Sequence, residues 1–270
     1  MLLKNKTAVV FGVSDSLGGA IAKAFANAGA KVFVSHRRLA PAQKIANEII
    51  AAGGQAEAAE VDALDESSVD NYVDKVAKKA GTIDISFNLI GIQDTQDIPL
   101  TEMSPDDFVR PVSIAMLTQF LTSTATGRVM SKQGSGVILS LTATPGGIGY
   151  ANVGGFGPAC CAIEAFSQNL AAELGPAGVR VVNIRSAGSP DSRPFKEAVE
   201  QGGDDVKDFM EKLAIDTMLK QMPMMEDIAN TAIFLASNMA NKITGVTIDV
   251  TAGTTAALNY KVTKVAFLKK

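Results

Sequence analysis

Short apolar runs alternate along the chain with longer stretches in which apolar residues recur every three to four positions. The runs 7–11, 31–35, 56–61, 83–89, 136–141, 179–184 and 247–250 are rich in β-branched residues and predict strands. Nearly continuous apolar stretches such as Ala8-Val9-Val10-Phe11 fit strands covered on both faces. Helical periodicity runs through 17–28, 41–52, 66–80, 105–132, 155–174 and 225–237. Strand followed by helix, repeated in this way, predicts an α/β fold: a doubly wound parallel sheet of about seven strands with helices on both faces.

The segment 186–222 breaks the rhythm. It is rich in polar and charged residues, carries Pro190, Pro194, Gly202 and Gly203, and separates the last two strands. Long insertions of this kind are usually functional, and this one reads as a lid over a site, with a plain surface excursion as the alternative. No repeat, low-complexity linker or composition break marks a second domain, so residues 1–270 read as a single domain.

Composition narrows the classes. With 270 residues, 47% of them hydrophobic and 20% charged, the chain is long enough to bury a core without disulfides or metals. A formal net charge of −3 argues against a nucleic-acid partner. Cys160 and Cys161 are adjacent, and with His36 as the single histidine they match no metal-ligand spacing, so no metal site is expected. The N-terminus shows no signal-peptide pattern and no apolar run is long enough to span a bilayer. The expected setting is the cytoplasm, with no membrane partner.

The first strand runs into Gly12-Val13-Ser14-Asp15-Ser16-Leu17-Gly18, and a helix follows. Small residues at such a turn bring backbone N–H groups against a pyrophosphate at the positive end of a helix. At the end of the second strand, where an acidic residue would hold the adenosine ribose hydroxyls, stand His36, Arg37 and Arg38. A carboxylate there repels a 2′-phosphate whereas guanidinium groups clamp it, so NADP(H) is favoured over NAD(H). In the alternative, Arg37 and Arg38 are solvated surface charges.

On these residues the chain resembles the short-chain dehydrogenase/reductase family. The family's Thr-Gly-x-x-x-Gly-x-Gly turn is matched by Phe11, Gly12, Ser16 and Gly18, with serine replacing the middle glycine. Asp62-Ala63 resembles the pair that brackets the adenine, and Asn88-Leu89-Ile90-Gly91 keeps the first and last members of Asn-Asn-Ala-Gly. Ala187-Gly188 stands where Pro-Gly is usual, and Ser192 stands near the threonine that touches the nicotinamide amide. The resemblance implies a Rossmann-type fold, a nicotinamide dinucleotide and a small-molecule substrate. It also implies a homodimer or homotetramer built through 105–132 and 155–174, with the apolar stretch 262–268 available for another interface.

The same resemblance exposes an absence. The family's tyrosine and lysine, four residues apart on one helical face, align with Phe156 and Cys160. Its serine aligns with Ala143 and its asparagine with Ala115. Phenylalanine has no exchangeable proton and alanine cannot polarise a carbonyl, so a polar active site reads as replaced by an apolar one. Tyr150, Thr142 and Cys160 are the candidate substitutes, with Thr144 beside them; the competing readings are a pocket wall for Tyr150 and a small buried hydrophobe for Cys160. His36 belongs to the adenosine end, while Asp94, Asp191, Met222, Met224 and Met225 are weaker pocket candidates.

Two functions fit. One is an atypical NADP(H)-dependent oxidoreductase delivering hydride to an activated substrate such as an iminium ion or an enone. The other is a family member without redox chemistry, serving as a sensor, a partner subunit or a non-redox protein.

Overall fold

The computed structural model describes residues 1–257; the apolar stretch 262–268 lies outside the described residues. Seven strands form one sheet: β1 (Thr7–Phe11), β2 (Lys31–His36), β3 (Gln55–Glu60), β4 (Ile85–Asn88), β5 (Gly136–Ala143), β6 (Val179–Ser186) and β7 (Val246–Val250). Their order is β3-β2-β1-β4-β5-β6-β7, and every neighbouring pair is parallel.

The apolar run of β1 explains its central place. Ala8 and Val10 pack towards α1 (Leu17–Asn27), α2 (Leu39–Ala51) and α7 (Met225–Ala236). Val9 and Phe11 pack towards α3 (Glu66–Ala80), α4 (Pro105–Gln133) and α5 (Phe156–Leu174) on the other face. All five residues of β1 are buried, as a strand sandwiched between two helical layers requires. The strand order reverses between β1 and β4. Such a switch point leaves a crevice at the carboxyl ends of the strands, and that is where the candidate site lies.

The insertion at 186–222 holds a helix that the sequence pattern does not predict, α6 (Arg193–Asp216). Pro190, Pro194 and the Gly202-Gly203 pair look like breakers. Pro194 falls in the first helical turn, where its missing N–H costs nothing. Gly203, at φ +58 and ψ −132, separates two helical pieces. The helix docks through Phe195 on the turn after β6. A Cβ at Gly188 would stand 2.3 Å from the Phe195 ring, so only glycine leaves room for it.

No helix of the described residues is long and apolar enough to cross a membrane. Among the same residues no group of three or more His, Cys, Asp or Glu side chains is arranged to hold a metal ion.

Candidate active site

A cavity of about 710 Å³ opens at the carboxyl ends of the central strands, where Phe11, His36, Asn88, Ala143 and Ser186 line it. That volume suits a small organic ligand. Gly12 shapes one wall. Its φ is +79, and a Cβ there would lie 2.7 Å from the backbone of Leu89 and Ile90. Glycine therefore lets the turn after β1 lie directly against the end of β4. Asn88 holds that second turn in place: its Oδ1 accepts from the Ile90 N–H at 3.0 Å, and its Nδ2 donates to Thr122 Oγ1 at 3.0 Å.

The N-terminus of α1 carries no side-chain cap and no acidic residue in its first turn. Its Ser16, Leu17 and Gly18 line the cavity, so unsatisfied N–H groups and the positive end of the helix dipole stand at the wall. Ser14, Asp62, Ala63 and Gly91 line it as well. At the adenosine end, His36 and Arg37 are joined by Arg193 of α6. Burial lowers the His36 pKa and hydrogen bonding with the Arg38 backbone opposes it, while the charges of Arg38, Arg37 and Arg193 lower it further. The imidazole is thus neutral at pH 7, and the charge at this end comes from the guanidinium groups. A glycine turn, an uncapped helix N-terminus and a cationic end together fit a phosphorylated dinucleotide.

Four residues expected in the nucleotide site lie outside the cavity lining. Asp15 turns outward and pairs with Lys44 at 2.7 Å. Arg38 occupies the exposed N-cap position of α2, and the arginines that line the cavity are Arg37 and Arg193. Gly188 packs against Phe195, and Ser192 stands at the N-cap position of α6. Arg193 itself carried no signal in the sequence, because it reaches the site only through the fold of the insertion.

At the opposite end Ala115, Ala143, Phe156 and Cys160 come together on the cavity wall. Cys160 is 1% exposed, and burial pushes its thiol up to about 11; a hydrogen bond with the Ala143 backbone opposes the shift, while Glu164, Cys161 and Asp94 reinforce it. A protonated, buried thiol is neither a nucleophile nor a ready acid at neutral pH, which removes Cys160 as a catalytic substitute. Tyr150 and Thr144 are not among the lining residues. Thr142 lines the cavity, yet its hydroxyl donates to Glu164 Oε1 at 2.8 Å and accepts from Asn183 Nδ2 at 2.7 Å.

That commitment belongs to a polar network beneath the cavity. Arg185 donates from Nε and Nη2 to the two Glu164 oxygens, at 2.9 and 2.5 Å, and from Nη1 to Asp249 Oδ1 at 2.9 Å. A bidentate, largely buried pair of this kind fixes α5 to β6 and β7. Asp94 does line the cavity, where it accepts from Gln96 Nε2 at 2.6 Å. Asp191 instead accepts from the Met225 N–H at 3.0 Å at the start of α7, and Met222, Met224 and Met225 are not in the lining.

The wall is also less apolar than the four substitutions imply. Gln119 and Ser186 line the cavity, 4% and 7% exposed. For Gln119 a sequence signal existed, since it follows Ala115 by four positions on one helical face; Ser186 reaches the wall only through the β5–β6 register, where it sits opposite Ala143.

A parallel sheet with a glycine turn at its switch point defines a dinucleotide-binding α/β protein. A family model described as enoyl-(acyl carrier protein) reductase matches residues 12–255. An uncharacterized oxidoreductase of Bacillus subtilis (strain 168) is 30% identical over 250 residues, covering 93% of this chain and 90% of that relative. Two solved structures share the fold. NAD+-bound xylitol dehydrogenase has a TM-score of 0.87 at 24% identity, covering 94% of this chain and 100% of its own. A gluconate 5-dehydrogenase from Burkholderia cenocepacia J2315, in complex with NADP and tartrate, has a TM-score of 0.86 at 22% identity, covering 95% and 97%. The chain belongs to the short-chain dehydrogenase/reductase family of oxidoreductases.

Proposed function

We propose that the protein is an NADP(H)-dependent oxidoreductase that delivers hydride to an activated small molecule, an iminium ion or an enone, without a tyrosine–lysine pair. The observation that carries this reading is that Phe156, Cys160, Ala143 and Ala115 line the same cavity as the glycine turn. When bound, the reduced nicotinamide supplies a hydride, which an iminium carbon accepts without a proton donor and an enone accepts with a proton from water.

The chain's own residues then bind and orient the two reactants. The N-terminus of α1 takes the pyrophosphate, and Arg37 with Arg193 takes a 2′-phosphate. The fold neighbours include complexes with NAD+ and with NADP, so the preference for NADP(H) rests on the two arginines. Phe156, Ala143 and Ile163 give the substrate an apolar wall to rest against. The α6 segment serves as the lid, since Arg193 and Pro194 line the cavity from above the nucleotide turn. Pairing of subunits through α4 and α5, as the family resemblance implies, completes the reading.

A second reading has its own observation. The four rewritten positions hold no group that ionises near neutral pH, which suits a nucleotide-binding protein without redox chemistry. Oxidation of NADPH by a panel of ketones, enones and iminium ions separates the two. Turnover with the last two classes supports the first reading, and tight NADPH binding without turnover supports the second.

A further inference from the structure

Two buried polar side chains face the rewritten end of the cavity without a partner. The Gln119 carboxamide makes no hydrogen bond to a described residue, and the residue is 4% exposed. Among the described residues the side-chain polar atoms sealed in the interior without a partner are Tyr72 Oη and Ser189 Oγ. The Gln119 amide is therefore open to the cavity rather than closed into packed protein. Ser186 shows the same pattern at 7% exposure, at the end of β6 and opposite Ala143. Buried amides and hydroxyls in native proteins find partners, and here a ligand is the group in position to supply them.

Geometry says where the amide reaches. Long side chains on a helix lie over the turn N-terminal to their own Cα, which puts Gln119 over the turn that carries Ala115. The neighbouring Thr142 hydroxyl is already engaged, with Glu164 and Asn183. A short buried thiol at Cys160 also leaves α5 without a cation to extend into the cavity.

We propose that Gln119, assisted by Ser186, anchors the nicotinamide riboside half of the dinucleotide through its neutral hydroxyl and amide groups. A carboxamide donates and accepts at once, as a ribose diol and a nicotinamide amide do, so the match needs no charge. The proposal rests on the dinucleotide reading above and adds to it an uncharged anchor on α4.

Calorimetric titration of NADPH and of adenosine 2′,5′-bisphosphate, which lacks the nicotinamide riboside, tests it in the wild type, Gln119→Met and Ser186→Ala. Gln119→Met weakens NADPH binding about three- to tenfold, the worth of one net hydrogen bond, and leaves bisphosphate binding unchanged. Ser186→Ala gives a smaller loss of the same selectivity, and as the milder change it carries the comparison should Gln119→Met fail to fold. Unchanged NADPH affinity in both variants, or equal losses for the two ligands, overturns the proposal. A wild type that binds neither ligand overturns the dinucleotide reading itself, an outcome distinct from variant-insensitive binding.

Discussion

The backbone N–H of Arg193 donates to Ser16 Oγ at 3.3 Å, joining residues 177 positions apart in the chain. Ser16 stands at the N-cap position of the first helix, its hydroxyl free of that helix's own N–H groups, and Arg193 opens the inserted one. The bond therefore ties the insertion to the nucleotide turn, and the Phe195 ring on Gly188 is its second anchor. A ligand seated on the turn lies beneath α6, and loosening either anchor should be felt at both ends.

Gly188→Val tests the second anchor. Its Cβ meets the Phe195 ring at 2.3 Å, and relieving that overlap displaces α6 at a cost of about 1–3 kcal/mol. Trypsin should cut faster at Lys196 and Lys207, and NADPH should bind more weakly. An unchanged cleavage rate contradicts the docking described for α6.

Arg37→Ala and Arg193→Ala should each weaken NADPH at least about tenfold, because a charge-assisted hydrogen bond to a phosphate contributes about 1.5–3 kcal/mol. NADH lacks the 2′-phosphate and should bind with little change. Arg38→Ala should affect neither, since Arg38 is not in the cavity lining. Equal losses for NADPH and NADH would show that the arginines do not read the phosphate.

Cys160 makes stability depend on alkaline pH. Its folded pKa of about 11 lies above the ordinary 9.0, so between those values the unfolded chain releases the proton while the folded chain keeps it. Stability falls as pH rises through that window, by up to about 3 kcal/mol, and Cys160→Ala should flatten the slope. Urea denaturation at pH 8 and pH 10.5 measures it. At pH 8 iodoacetamide should modify the exposed Cys161 and spare the buried Cys160, as mass spectrometry of the intact protein would show.

Arg185→Met leaves Glu164 buried with one partner, Thr142, and removes the link to Asp249. Loss of one member of a buried pair costs about 3–5 kcal/mol, so the denaturation midpoint should drop sharply. A drop no larger than that of an exposed pair such as Lys23–Glu48 would deny Glu164 its place in the floor.

The central strands were legible because they are buried on both faces. Their apolar runs have no other use, and α3 matches its sequence reading, 66–80, at both ends. The α6 helix was not legible, since Pro194 and Gly203 act as breakers in isolation and only their positions, in the first turn and between two helical pieces, make them compatible with a helix. The nucleotide turn could be placed from Gly12 and Gly18, whereas Asp15 pairs with Lys44 and Arg38 lies outside the cavity lining. Gln119 and Ser186 fall outside the fixed spacings that mark the missing tyrosine, lysine, serine and asparagine. The buried polar face of α4, with Thr118, Gln119, Thr122 and Thr126 on consecutive turns, is visible only when the helix is read for which polar residues face inward.

Stopped-flow oxidation of NADPH tests the central claim most directly, with the wild type and the Ala143→Ser/Phe156→Tyr/Cys160→Lys variant set against a cyclic iminium ion, 2-cyclohexenone and cyclohexanone. The account predicts that the wild type oxidises NADPH with the iminium ion or the enone and not with cyclohexanone, while the variant gains activity on cyclohexanone. A wild type that binds NADPH yet transfers hydride to none of the three, or one that reduces cyclohexanone as readily as the activated substrates, would contradict it.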